Sequence, residues 1–328
     1  MRVVHELSDL PSALTGASLA LGNFDGVHRG HQAVLAAAMK VAAKGDTAAG
    51  AMVFEPHPRE FFRPDVPLFR LTTMETKLEL FEALGLDFTV VMRFDAELAR
   101  TRAGDFIEAF LVRRLAITHA VAGFDFQFGK DREGTPEFLS RAGKEHGFGV
   151  TIVERVSGAE GLFSSSAIRR HLEAGEVEQA AQSLGYRWFV CGEVIGGDKR
   201  GRDLGFPTAN ISLRVGTRLR LGIYAVRVRR GAGEDARVHD AVASYGVRPT
   251  FGGGQPLLEV FIFDFSEDLY GETIEVEFVG FIRPEARFDS IDALVARMNE
   301  DLEAARGLLA AAPAHDSRLD AALGFAKG

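Results

Sequence analysis

Short apolar runs recur along the first half of the chain, each followed by a longer stretch with apolar positions at helical spacing. The strand-like runs are Ser18–Leu21, Thr47–Phe54, Asp87–Met92, His119–Gly123 and Gly149–Val153. Between them the spacing predicts helices over His31–Ala43, Thr73–Leu84, Ala103–Arg114 and Thr135–His146. Thr72 and Glu75 stand at capping-box spacing, and Thr135-Pro136 reads as an N-cap followed by proline at the first helical position. Alternation of this kind predicts an α/β domain: a parallel sheet, helices on both faces, ligands at the carboxyl ends of the strands.

The pattern changes after Leu172–Leu184, which continues as helix, and Gly185-Tyr186-Arg187 reads as a boundary. Strand-like runs then follow one another: Trp188–Ile195, Gly222–Arg230, His239–Val247, Leu257–Phe265 and Thr273–Phe281. Helical spacing returns only at Ile291–Leu309, with Ser290 as its N-cap. These features predict a small antiparallel β-barrel closed by a C-terminal helix. The expected domains are residues 1–185 and 186–310, and the weakly periodic tail 311–328 reads as partly disordered.

Composition narrows the class without naming a function. A chain of 328 residues suits two domains, and 46% hydrophobic with 26% charged residues is ordinary for a globular protein. A net charge of −8 argues against general nucleic-acid binding but leaves room for a nucleotide in a local basic pocket. The single cysteine, Cys191, rules out an internal disulfide and a cysteine-based zinc cluster, so the cytoplasm is the expected setting. The start, MRVVHELSDLP, is too charged for a signal peptide, and no run approaches the ~20 apolar residues of a membrane span.

The chemistry gathers at loops. LGNFDGVHRGH, Leu21–His31, joins a strand to a helix through Gly22, a turn at Asn23, Phe24 and Asp25, and the side-chain-free Gly26 and Gly30. Such a turn aims free backbone N–H groups and the positive helix end at one spot, a phosphate site. His28 and His31, three apart, share one face of the first helical turn and can donate hydrogen bonds to a triphosphate and its leaving pyrophosphate. A His-x-x-His pair also suits a metal or a plain solvated turn. The dinucleotide fingerprint G-x-G-x-x-G is absent.

Three further loops follow strands in this half. In Phe54-Glu55-Pro56-His57-Pro58 two prolines fix the backbone around His57, or form a rigid surface turn. Gly123–Gly129 alternates Phe124, Phe126 and Phe128 with Asp125 and Gln127, a ring face and a polar face for a flat heterocycle, or simple core. Lys130 and Arg132 come next. Ser164, Ser165 and Ser166 either cap a helix or, with Arg169 one turn in, clamp an anion. In the second half GEVIGGDKRG, Gly192–Gly201, has the first P-loop spacing but Asp198 where lysine is required, so it is not a Walker loop. Its amides and Lys199 can still hold phosphates. Thr208 and Asn210 offer neutral oxygens on one side of an extended segment, suited to Mg²⁺ or to a strand's polar surface.

These stretches resemble a known family. LGNFDGVHRGH is similar to the G-x-F-D-G-x-H-x-G-H pattern of bacterial FAD synthetases, within the H-x-G-H signature of nucleotidyltransferases. Ser164–Arg169 resembles that family's S-S-T-x-I-R loop, with Ser166 for threonine, and all four loops match in order. GDKRGRDLGFPTAN resembles the riboflavin kinase signature. Gly246–Thr250 resembles its G-x-R-P-T turn, and Leu258–Phe261 with Asp268–Gly271 resembles V-E-V-H…D-L-Y-G, Phe261 replacing histidine. Ile282–Phe288 resembles its closing flavin-side loop.

Over residues 15–310 the chain resembles bacterial bifunctional riboflavin kinase/FMN adenylyltransferases. The resemblance implies a Rossmann-like nucleotidyltransferase domain before a kinase barrel. Riboflavin and ATP would give FMN; FMN and a second ATP would give FAD and pyrophosphate. It implies catalysis by Glu259, His28 and His31. ATP would meet Gly22–Gly26, Gly30, Ser164, Ser165 and Arg169 in the first domain, and FMN would meet His57, Pro58, Asp125, Phe126 and Phe128. In the second, ATP would meet Gly196, Gly197, Lys199, Gly201, Pro207, Thr208 and Asn210, the last two with Mg²⁺; Arg287 and Phe288 would flank riboflavin. FMN and FAD enter as products, with no nucleic-acid or membrane partner. The alternatives are a nucleotidyltransferase for another phosphorylated substrate and a non-catalytic flavin-binding regulator.

Overall fold

The computed structural model describes residues 1–5, 7–158, 161–196, 208–231, 236–247 and 256–312. Gly197, Lys199, Gly201 and Pro207, the Arg248-Pro249-Thr250 turn and the tail from residue 313 lie outside the described residues. Two compact units appear, Met1–Ser165 and the described residues from Ser166 onward.

The first unit carries a six-stranded sheet built from β1 (Arg2–Val4), β2 (Ser18–Leu21), β3 (Ala49–Glu55), β4 (Phe88–Arg93), β5 (His119–Gly123) and β6 (Gly149–Val153). Its order is β1-β4-β3-β2-β5-β6, and every pairing is parallel. From β2 the chain adds strands first on one side and then, from β5, on the other. The carboxyl ends of β2 and β5 therefore flank the topological switch point, where open α/β sheets take ligands.

Helices α1 (Arg29–Gly45), α2 (Pro58–Phe62), α3 (Met74–Leu84), α4 (Ala96–Arg100), α5 (Ala103–Phe106) and α6 (Pro136–His146) connect the strands. Leu19, Leu21, Met52, Val90 and Ala122 from the sheet share one core cluster with Phe106, Ile107, Leu111 and Leu139. The helix expected over Ala103–Arg114 is α-helical only to Phe106 and runs on as a π-helix, Ile107–Arg114. Thr135 caps α6 by accepting from Phe138 N, as its sequence suggests. The cap of α3 is Thr73, accepting from Thr76 N, not Thr72. Thr72 is taken up by the loop after β2, described below. A hairpin of β7 (Ser157–Gly158) and β8 (Gly161–Leu162) ends the unit.

In the second unit Leu172–Leu184 is not one helix. α7 (Ser165–Ala174) stops at Gly175, whose φ of +81° takes the chain out of the helix, and α8 (Val177–Leu184) restarts it. The barrel strands are β9 (Phe189–Ile195), β10 (Ala209–Ser212), β11 (Gly222–Arg230), β12 (Arg237–Val247), β13 (Pro256–Ile262) and β14 (Thr273–Arg283). They close in the order β10-β13-β12-β11-β14-β9, antiparallel throughout. Tyr224, Val226, Val228, Leu258, Val260, Val276 and Phe278 are fully buried, alternating along their strands as a filled barrel requires. α9 (Ile291–Ala311), capped by Ser290, packs Ala305 and Leu309 on Ala225, Phe263 and Val279. The buried fork of Arg283 on Asp301, both bonds 2.7 Å, ties the end of β14 to this helix.

Candidate functional site

In the first unit the loop after β2 is held from behind. Asp25, buried, accepts from the backbone N–H groups of Leu71 at 3.0 Å and Thr72 at 3.2 Å. Gly26 N donates to Thr72 Oγ1 at 3.1 Å, and Lys77 Nζ donates to Asn23 O at 2.8 Å. Phe24, Gly26 and Val27 all take positive φ, so the turn is a conformation that only its surroundings sustain.

His28 is the N-cap of α1: its Nδ1 accepts from His31 N at 3.3 Å. An accepting Nδ1 leaves the proton of the neutral ring on Nε2, a donor suited to a phosphate oxygen. It also argues against a metal on that nitrogen. The His28 and His31 rings stack with centroids 3.5 Å apart. A Cβ at Gly30 would lie 3.1 Å from the His28 ring, so glycine there lets the imidazole fold back over the helix start. The serine loop meets this turn, since Ser165 Oγ donates to Asp25 O at 2.8 Å. Arg169, buried in α7, belongs to the second unit.

His57 caps α2, its Nδ1 accepting from Arg59 N at 3.0 Å. Burial pushes its imidazole down to about 4, against the opposing pull of Asp25. Beside it Arg70 forks Glu55 at 2.7 and 2.8 Å and reaches Glu60 at 3.0 Å. Burial works against the guanidinium's charge, but its bonds to Glu55 and Glu60 outweigh it and raise its pKa further. The aromatic alternation divides: Phe128 is core, against Phe106 and Phe138, whereas Phe126 is half-buried and stacked on Phe128 at 5.4 Å. Asp125 is exposed. Phe62, 63% exposed and edge-on to Phe61 and Phe94, adds an apolar ring that the sequence pattern did not single out.

The sequence reading also missed Lys77 and Arg70, and took Thr72 only for a helix cap. For Lys77 a signal exists: it falls on the buried stripe Lys77, Leu80, Phe81 and Leu84, where a solvated lysine has no place. Burial pushes its ammonium down to about 8, with Asp25 pulling the other way.

In the second unit the barrel register sets the geometry. Asn210 pairs with Glu259 across β10 and β13, and Glu259 pairs with Ser244 across β13 and β12. Directly paired residues share a face, so the three stand in one row. Leu258 and Val260 fill the interior, which turns Glu259 to the outer face. Asn210 is 5% exposed and its Oδ1 has no hydrogen-bond partner among the described residues, while Thr208 lies two residues earlier. An orphaned amide oxygen beside a hydroxyl residue fits a hard cation such as Mg²⁺. Beyond them a cleft of about 510 Å³ is lined by Glu193, Val194, Ile195, Gly196, Tyr270 and Gly271. Phe261 packs into the cluster beneath α9, accounting for an aromatic ring at that position. Arg287 is exposed, and Phe288 lies under the Arg283 guanidinium at 5.8 Å.

Comparison with known proteins agrees with this division. The FAD synthetase family pattern matches residues 10–167 and the riboflavin kinase pattern residues 184–309. A bifunctional riboflavin kinase/FMN adenylyltransferase of Escherichia coli K12 is 39% identical over 306 residues, covering 93% of this chain and 96% of that one. Its namesake from Bacillus subtilis is 38% identical over 296 residues, 88% and 90% of the two chains. A solved structure named as a macrolide-efflux protein of Streptococcus pneumoniae superposes with a TM-score of 0.82 at 32% identity, covering 93% and 98%. The efflux label is that protein's; among the described residues here no helix is long and apolar enough to cross a membrane. With both patterns present in order and near-complete coverage of its relatives, the chain belongs to the bifunctional riboflavin kinase/FMN adenylyltransferase family.

Proposed function

We propose that the second unit's barrel phosphorylates riboflavin to FMN and that the first unit's α/β sheet adenylylates FMN to FAD, both at the expense of ATP. The functional domains are 1–185 and 186–310, followed by a tail, and the enzyme works in the cytoplasm. Family membership supports both activities. The location of each rests above all on Asn210 facing Glu259 in the barrel while the histidine turn lies at the switch point of the other unit.

In the barrel Glu259 takes the proton of the ribityl 5′-hydroxyl. The freed oxygen attacks the γ-phosphorus of ATP, and ADP leaves. Thr208 and Asn210 would hold Mg²⁺, which would neutralise phosphate charge. Gly196 begins the glycine loop that receives ATP, and Arg287 and Phe288 flank the flavin. In the sheet domain an oxygen of the FMN phosphate attacks the α-phosphorus of ATP, and pyrophosphate leaves. A phosphate is already a nucleophile at neutral pH, so no base is required there. His28, His31, the α1 N-terminus and the serine loop position and neutralise the triphosphate. His57, Pro58, Asp125 and Phe126 take the flavin side, with Phe128 backing Phe126 from the core.

Two variants test this division. Glu259→Gln should lower riboflavin phosphorylation by about 10²–10⁴ and leave conversion of supplied FMN to FAD intact. His28→Ala with His31→Ala should do the reverse, making FMN and stopping there, with a loss of roughly 10²–10³ or more in the second step. Loss of both activities from either variant, with an unchanged circular dichroism spectrum, would refute it.

A further inference from the structure

We infer that Lys77 is a positioning residue for FAD formation: its buried side chain holds the Asn23–Val27 turn in the shape that receives the phosphates of ATP. This rests on the reading that places ATP at that turn. Three backbone φ values in the turn are positive, 49° at Phe24, 83° at Gly26 and 36° at Val27. For phenylalanine and valine that conformation is costly and persists only where neighbours over-determine it. The neighbours come from one segment. Leu71 N and Thr72 N donate to the Asp25 carboxylate, Thr72 Oγ1 accepts from Gly26 N, and Lys77 Nζ donates to Asn23 O.

Lys77 is the costly member of that set. It is 3% exposed, on the same helix face as Leu80, Phe81 and Leu84. An apolar side chain of similar length would fill that position without the desolvation penalty of an ammonium. What an apolar residue cannot supply is the bond to Asn23 O and the attraction to Asp25. The charged groups around Lys77 are Asp25 from the turn, Glu55 at the end of β3, Glu60 on α2, and Arg70 from the preceding loop; His57 also faces it. Arg70 is held charged by its two carboxylates, and burial keeps the His57 ring neutral. Lys77 itself loses its proton near pH 8, after which the bond to Asn23 O is no longer charge-assisted.

The test measures kcat/KM for ATP in the conversion of supplied FMN to FAD between pH 6.5 and 9.5. Riboflavin phosphorylation by the same preparations serves as the internal control, since Lys77 lies in the other unit. The wild-type value should decline above about pH 8. Lys77→Met should be lower by roughly tenfold or more at pH 7 and flat across the alkaline range, with riboflavin phosphorylation unchanged. Lys77→Arg should keep the pH 7 value and lose the alkaline decline. A wild-type profile without that decline, or Lys77→Met with wild-type kcat/KM, overturns the inference. If Lys77→Met loses riboflavin phosphorylation as well, Lys77→Arg decides: persistence of the decline in it overturns the inference. The His28→Ala, His31→Ala variant run alongside reads the location of ATP separately, because FAD formation surviving there removes ATP from the turn whatever Lys77 does.

Discussion

His57 couples local structure to pH. Its ring is neutral in the folded chain down to about pH 4, whereas in the unfolded chain it takes up a proton near the ordinary value of 6.5. Between those values the unfolded state binds more protons, so the first unit gains stability as pH rises from 4 to 6.5 and loses it as pH falls through that window. His57→Asn keeps an acceptor for Arg59 N and so preserves the cap. The difference in melting temperature between pH 7 and pH 5 should therefore shrink in that variant; an unchanged difference would show that His57 carries none of it. Asn210 poses the complementary case of a buried oxygen, the one assigned to Mg²⁺ under the proposed function. Asn210→Ala should raise the Mg²⁺ concentration needed for half-maximal FMN formation, and a chelator should abolish the reaction in both forms. Wild-type activity of Asn210→Ala at low Mg²⁺ would remove this residue from the metal.

Among the elements, β3 shows how closely the central sheet is packed. Gly50 pairs with Leu19 on one side and Phe88 on the other, and a Cβ there would sit 2.3 Å from the Phe88 ring. The ring occupies the space over the glycine in a sheet whose neighbours cannot retreat. Gly50→Ala should cost about 1–3 kcal/mol, visible as a lower melting temperature. A melting temperature equal to the wild type's would show that Phe88 swings aside freely. The same packing decides element ends that periodicity could not. Thr72 has the spacing of a helix cap, but its hydroxyl serves Gly26 and Thr73 caps α3 instead. Gly175 divides what reads as one helix, because the apolar spacing of Leu172–Leu184 survives a break that only a positive φ reveals.

At the scale of the whole molecule the sequence by itself determined the two-part architecture. A switch from alternating strand and helix to consecutive strands is written in the spacing of apolar residues, and spacing is local. The shape of the turn we propose for phosphate was legible for the same reason: Gly22, Gly26, His28, Gly30 and His31 lie within one strand-to-helix connection, and such connections have few shapes. Only the tertiary structure decided which distant residues stand behind those loops. Lys77 lies 54 positions from Asn23, and no periodicity links them. Asn210, Glu259 and Ser244 share a row because of strand register, which is fixed by barrel closure and not by any one strand. Phe126 and Phe128 look equivalent in sequence, yet burial made one a core ring and left the other a half-open face. Local order follows from local sequence; pairing, burial and the charge of a buried group follow from which surfaces the folded chain excludes from water.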